Sequence, residues 1–224
     1  MKLAELLEIR PGVTAVIGGG GKTTLLRVLG EELAAAGGRV LLCASTKIFP
    51  FPGLENLADP GEEALAKALE ARRLVCAGSP VPGTGKLTAP GIPMSRLAAL
   101  ADYVLVEADG SAGRPFKAHA PHEPVIPAQA YQTVLVAGAS GFGRPIRECA
   151  HRPERYAQLA GASQDDAASP ETEAAVLRAE GLHDRVFLNQ VETGKDRRLA
   201  AGLAARLSCP AAAGALRRKE FFAC

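Results

Sequence analysis

The sequence has no surplus of charge of either sign, no long apolar run and no paired cysteine motif. Each absence removes a class of protein. Lys and Arg number 26 against 24 Asp and Glu, a formal net charge of +2, so nothing marks nucleic acid as a main partner. The basic cluster Arg217-Arg218-Lys219 is short and reads as solvated surface. No segment approaches the ~18 uninterrupted apolar residues of a membrane helix. The opening residues, MKLAELLEIRPG, interrupt their apolar stretch with Glu5, Glu8 and Arg10. That is unlike a signal peptide and reads as a short amphipathic helix. The five cysteines (Cys43, Cys76, Cys149, Cys209, Cys224) form no C-x-x-C pair and share no spacing with histidine. An odd, scattered set argues against a disulfide framework or zinc site and points to a reducing cytoplasm. Cys43 and Cys76 read as small buried hydrophobes. With no repeat and no dividing linker, the 224 residues, 47% hydrophobic and 22% charged, are expected to form one domain spanning 1–224.

What the sequence does have is concentrated near its start. Residues 13–29 read VTAVIGGGGKTTLLRVL: a β-type run, four glycines, Lys-Thr-Thr, then an amphipathic helical stretch. That is the order of parts in a phosphate-binding loop. Backbone N–H groups converge on phosphate oxygens only where no Cβ blocks them, and a helix N-terminus adds unpaired donors. Gly18, Gly19, Gly20, Gly21, Lys22, Thr23 and Thr24 are therefore the candidate nucleotide-binding residues, with Lys22 reaching the β- and γ-phosphates and Thr23 serving Mg²⁺. The spelling is short. The pattern G-x-x-x-x-G-K-[ST] wants glycine where Val16 stands, and what fits is G-x-x-G-K-T-T, a spelling similar to that of Mur-type ligases. ParA/MinD-type loops carry a further lysine where Ile17 stands here.

Strand-like and helical runs alternate along the chain. Strands are expected at 13–17, 39–44, 74–77, 103–107, 133–137 and 186–189, and helices at 22–36, 62–72, 94–101, 152–159, 170–180 and 195–207. The alternation predicts an α/β fold: a three-layer sandwich like that of P-loop NTPases, with a mainly parallel sheet and ligands at the strand C-termini. GTGKLT at 83–88 contains Gly-Lys but is flanked by Pro80, Pro82, Pro90 and Pro93. It reads as a surface hairpin from which Lys86 can reach the site.

The strand DYVLVEAD at 102–109 ends in two carboxylates, as Mg²⁺–nucleotide chemistry requires opposite a phosphate loop. Glu107 is the candidate metal ligand, and Asp109, two positions on, the residue that orients the attacking group. The next segment, GSAGRPFKAHAPHEPVIP at 110–127, suits an ordered functional loop. Arg114 and Lys117 there are candidates for binding phosphate, and His119, His122 and Glu123 for acid/base work. Thr46 is placed to contact metal or γ-phosphate. Asn189-Gln190-Val191-Glu192 loosely matches the guanine-reading N-[KQ]-x-D, with Glu192 for Asp, which makes Asn189 a candidate for the base.

Taken together, GGGGKTT at 18–24, STKIFP at 45–50, GKLT at 85–88, VEADGSAGRPFKAHAPHEPVIP at 106–127, HRPE at 151–154 and LNQVE at 188–192 resemble the YqeC family over nearly the whole length. The resemblance implies an accessory role to selenium-dependent molybdenum hydroxylases. The partner it implies is a molybdenum hydroxylase or selenium-handling protein, beside the nucleotide (ATP or GTP, with Mg²⁺) that the glycine loop and the acidic strand end predict. It leaves His119 without a site role. Lys22 and Asp109 are the expected catalytic pair. A Mg²⁺-dependent NTPase or transferase, a non-catalytic nucleotide-gated scaffold and a Mur-like ligase all remain open.

Overall fold

The computed structural model describes residues 1–224. The strands are β1 (Gly12–Gly18), β2 (Val40–Ala44), β3 (Glu55–Ala58), β4 (Leu74–Val81), β5 (Lys86–Thr88), β6 (Tyr103–Glu107), β7 (Phe116–Lys117), β8 (Ala130–Gly138), β9 (Ala150–His151), β10 (Arg185–Asn189), β11 (Ala211–Ala215) and β12 (Glu220–Ala223). The helices are α1 (Leu3–Leu6), α2 (Lys22–Ala35), α3 (Glu62–Arg72), α4 (Met94–Leu100), α5 (Ile146–Cys149), α6 (Pro153–Ala160), α7 (Pro170–Glu180) and α8 (Gly194–Ala204).

One ten-stranded sheet runs in the order β12-β11-β10-β8-β1-β6-β2-β4-β3, with β5 paired to β4. Only β11–β12 and β4–β5 are antiparallel. β1 lies between β6 and β8, parallel to both. It is buried on both faces, as its Val-Thr-Ala-Val-Ile run demands. Alternation along the strand sends its residues to two cores. Val16 packs with Leu25, Leu26 and Leu29 of α2, whereas Ala15 and Ile17 face the α5–α8 side with Tyr156, Leu177 and Leu203. Val13 joins the α3–α4 patch around Leu65, Leu69 and Leu97. Helices thus cover both faces, making the three-layer α/β sandwich with a mostly parallel sheet that the alternation predicts.

Local chemistry explains the helix ends. The Ser169 hydroxyl accepts from the Thr172 amide at the start of α7, and Gly181 closes that helix at φ 60°. Thr193 caps α8 in the same way. Three strands of the main sheet escape the sequence pattern, as do the two-residue strands β7 and β9 that pair apart from it. β3 is a four-residue edge strand, ENLA, and β11 is AAAGA, small residues with little β preference. β11 is extended because β10 and β12 supply a hydrogen-bonding partner on each side, and β12 exists only as that hairpin's return. The cluster Arg217-Arg218-Lys219 turns out to be the tip of this hairpin. Arg218 pairs with Glu192 at 2.8 Å and Lys219 with Glu31 at 3.1 Å. Cys43 and Cys76 are buried in the sheet, where burial raises both thiols, Cys76 to about 12. No helix is long and apolar enough to cross a membrane.

Candidate functional site

β1 delivers the glycine loop to the C-terminal edge of the sheet, between the ends of β6 and β8. Packing against backbone requires glycine at Gly18, Gly19 and Gly20, and at Gly21 the backbone conformation favours it. A Cβ at Gly18 would stand 2.3 Å from the Val136 carbonyl oxygen, at Gly19 2.5 Å from that of Arg114, at Gly20 2.4 Å from Gly138 N, and at Gly21 2.6 Å from Asn189 Nδ2. Gly18, Gly20 and Gly21 also have φ of 95°, 69° and 126°. The close approach changes which amides serve a ligand. Gly18 N donates to Asp109 Oδ2 at 3.0 Å, Gly19 N to Val136 O at 2.8 Å and Gly20 N to Arg114 O at 3.0 Å. The expectation that all four glycine amides face phosphate is therefore corrected: the first three tie the loop to β8 and the 109–115 segment. The donors left over are those of Gly21 and the first turn of α2, Lys22 to Thr24, which have no carbonyl within the helix to reach.

Lys22 is 4% exposed. Its Nζ donates to Gly18 O at 2.7 Å and lies 3.2 Å from Asp109 Oδ1 and 3.9 Å from Glu107 Oε1. Thr23 Oγ1 donates to Glu107 Oε2 at 2.8 Å. Glu107 ends β6 level with Val16 on one side and Ala44 on the other. Burial raises its carboxyl above the ordinary value, opposed by Lys22, the Thr23 hydroxyl and, more weakly, Lys86. A hydroxyl and a carboxylate side by side are hard oxygen donors of the kind Mg²⁺ takes alongside phosphate oxygens and water.

Asp109 does not face solvent at all. Besides Lys22 and Gly18 N, its Oδ2 meets Lys117 Nζ at 2.9 Å and His119 Nε2 at 2.7 Å. Burial alone would raise this carboxyl, but His119, Lys22, Lys117 and the Gly18 amide bring it down to about 2. The expected nucleophile-orienting role thus meets a fully enclosed anion. Strand alternation puts Asp109 near the site, but the chain after β6 folds Lys117 and His119 around it, opposite Lys22 of the loop.

The network continues inward. His119 Nδ1 lies 2.7 Å from Glu180 Oε2, and the His119 amide donates to Glu180 Oε1 at 2.6 Å. Burial disfavours the imidazolium, yet the bonds to Asp109 and Glu180 win and raise its pKa. Lys117 also reaches Gly110 O at 2.5 Å and Glu123 at 2.8 Å, and Glu123 pairs with Arg152 at 2.7 Å. Lys117 is therefore a buried strut rather than a phosphate ligand, and His119, which the resemblance leaves without a site role, is central to this framework. The signal was available only as the density of ionisable residues in 117–123.

Two cavities flank the loop. The first, about 340 Å³, is lined by Gly20, Gly21, Thr24, Asn189, Gln190 and Arg217, among others. Asn189 Nδ2 donates to Gly20 O at 2.8 Å and its Oδ1 accepts from Leu216 N at 3.1 Å. One N–H and one lone pair of the amide remain. Glu192 also lines this cavity, tied to Arg218. The second cavity, about 390 Å³, holds Lys22, Thr23, Glu107, Lys47, Phe49 and Lys86. Ser111 and Gly113 line both cavities. Arg114 lines neither. Its guanidinium turns to the Glu148 carbonyl at the end of α5, because its backbone is held against Gly19 and Gly20. Thr46 Oγ1 is buried without a hydrogen-bond partner and lines neither cavity. The glycine loop, Lys22, Thr23, Thr24, Glu107 and Asn189 come together; the Arg114 side chain does not.

A strand, a glycine loop and a helix opening on Lys-Thr-Thr, with an acid on the neighbouring parallel strand, define an α/β protein with a phosphate-loop type of site. A family model described as YqeC protein matches residues 14–154. The chain is 33% identical over 168 residues to the Uncharacterized protein YqeC of Escherichia coli (strain K12), a match covering 70% of this chain and 63% of that relative. The chain belongs to the YqeC family, and the match spans less than two thirds of the relative's length. The family match takes in the loop, Glu107 and the buried network as far as Arg152, and stops short of Asn189. Among solved structures, the signal recognition particle receptor FtsY from Elizabethkingia anophelis is similar with a TM-score of 0.45 at 16% identity, over 98% of this chain and 65% of that one.

Proposed function

We propose that the protein binds ATP or GTP with Mg²⁺ and cleaves or transfers the terminal phosphoryl group, in support of a molybdenum hydroxylase that uses a selenium cofactor. The observation that carries the nucleotide reading is the 2.8 Å contact between Thr23 Oγ1 and Glu107 Oε2 on the first turn of α2, with Lys22 Nζ 3.9 Å from the same carboxylate. The physiological setting is the one that the sequence resemblance implies. Thr23 and Glu107 would hold Mg²⁺, whose charge offsets that of the β- and γ-phosphates when bound. Lys22 would exchange the Gly18 carbonyl for phosphate oxygens, and the amides of Gly21 to Thr24 would complete the cradle. Thr24 and Asn189 serve the nucleoside end, Asn189 through its remaining donor and acceptor. Asp109 acts as a positioning residue: it holds Lys22 at the loop and bonds the Gly18 amide.

Titration calorimetry with ATP and GTP in the presence of Mg²⁺ tests this reading on the native protein and Lys22→Ala. Removing a charge-assisted contact should weaken binding at least roughly tenfold. Unchanged affinity in a folded variant would overturn the assignment. A second reading is favoured by the buried chain from Lys22 through Asp109 and His119 to Glu180, the last residue of α7. In that reading nucleotide occupancy gates a state recognised by a partner. Tight binding without phosphate release in a single-turnover assay with the hydroxylase present would select it.

A further inference from the structure

Two motifs, STKIFP at 45–50 and GKLT at 85–88, take no part in the nucleotide reading, yet the fold fastens them together beside it. Ile48 and Leu87 form an antiparallel bridge, exchanging both backbone hydrogen bonds at 2.8 Å. Thr88 Oγ1 adds a bond to Thr46 O at 2.7 Å. In that register Lys86 lies opposite Phe49, and its Nζ stands 4.7 Å from the ring centre. Lys47, Phe49 and Lys86 all line the second cavity. Lys22 and Lys117 are neutralised by carboxylates, whereas neither Lys47 nor Lys86 enters an ion pair. Phe49 is 58% exposed, so a face of its ring is open to a ligand.

The two cavities share Gly21, Thr24, Ser111 and Gly113, so they are the two ends of one trough over the start of α2. A nucleotide with its base against Asn189 brings its terminal phosphate to the second cavity. Lys22 and the α2 amides already serve that phosphate, and two further unpaired ammonium groups with an aromatic face remain. Two cations that line one cavity beside a phosphate site favour a dianion over a single carboxylate.

We infer that Lys47, Lys86 and Phe49 form the subsite of a second substrate, a small molecule carrying a phosphate ester, next to the nucleotide's terminal phosphate. The identity of the neighbouring ligand rests on the nucleotide reading; the chemistry of the subsite does not. Phenyl phosphate, a phosphate joined to a flat apolar ring, is the probe. It is titrated into the free protein and into protein saturated with Mg²⁺ and a non-hydrolysable ATP analogue, for the native chain, Lys47→Ala/Lys86→Ala and Lys47→Arg/Lys86→Arg.

The expected result is saturable binding in both native forms, weakened at least tenfold by the double alanine variant and retained by the double arginine variant. Affinity for the ATP analogue should stay within twofold throughout. No saturable binding to the native protein, or equal binding to the double alanine variant, would overturn the proposal. So would displacement of the bound analogue by phenyl phosphate, because the lysines would then belong to the nucleotide itself. Failure of the analogue to bind the native protein would instead remove the nucleotide reading, while titration of the free protein still decides the subsite.

Discussion

Replacing Asp109 by asparagine separates the role its sequence position suggests from the one its surroundings impose. A residue that only orients a nucleophile at the cavity would, on mutation, lose turnover and leave stability nearly intact. The side chain is instead fully buried, 2.7 Å from His119, 2.9 Å from Lys117 and 3.2 Å from Lys22. An asparagine there would keep the shape and the oxygen facing Gly18 N but remove the charge these groups share. Breaking a buried pair from one side costs about 3–5 kcal/mol. Two features place the cost near the lower end: Lys117 keeps Glu123 at 2.8 Å, and His119 can release its proton. A loss of about 3 kcal/mol lowers the melting midpoint of a chain of this size by roughly 6–12 °C. Thermal unfolding followed by circular dichroism, with urea unfolding to check that the slope is unchanged, measures it. A midpoint within ~2 °C of the native one, in the range of a ΔΔG below about 1 kcal/mol, would refute the framework role. A second substitution, His119→Gln, should cost less in the Asp109→Asn background than alone, since the two share one contact.

Two other perturbations read different parts of the molecule. Gly20→Ala places a Cβ 2.4 Å from Gly138 N at φ 69°, while Gly83→Ala at φ 72° meets open space. The first should cost about 2–4 kcal/mol and the second about 1 kcal/mol, so similar unfolding midpoints would contradict the packing account. Glu173 is wholly buried, accepts a bond from the Tyr156 hydroxyl at 2.7 Å, and is pushed up by burial to about 8 from an ordinary 4.5. Its neutral form is the folded one. The stability it permits is present in full below pH ~4.5 and is lost as pH rises toward ~8, a cost of about 3 kcal/mol at neutral pH. Glu173→Gln keeps the tyrosine bond without titrating. It should flatten the stability profile between pH 5 and 8 and exceed the native protein at the alkaline end; parallel profiles would refute this.

The residues that carry the phosphate loop announce themselves because their constraints are local. Consecutive glycines, a lysine, hydroxyls and a periodic apolar helix can all be read from adjacent positions, and so can the apolar run ending at Glu107. The parallel α/β architecture follows from alternating periods in the same way. Long-range pairing is not written locally. AAAGA at β11 is a strand only because β10 and β12 flank it, and the hairpin tip that bounds the first cavity came with it. Asp109, Lys117, His119 and Glu123 read singly as surface or catalytic groups. Only folding brings opposite charges together away from water, where a carboxylate at the sheet edge becomes a fixed counter-ion rather than a reactant. Lys47 and Lys86, 39 positions apart, likewise become neighbours only through the bridge between Ile48 and Leu87. The sequence by itself determined a loop built for phosphate. The tertiary structure decided which of its amides are free, what holds its lysine, and what else stands in the same trough, because those depend on contacts between residues that the chain keeps far apart.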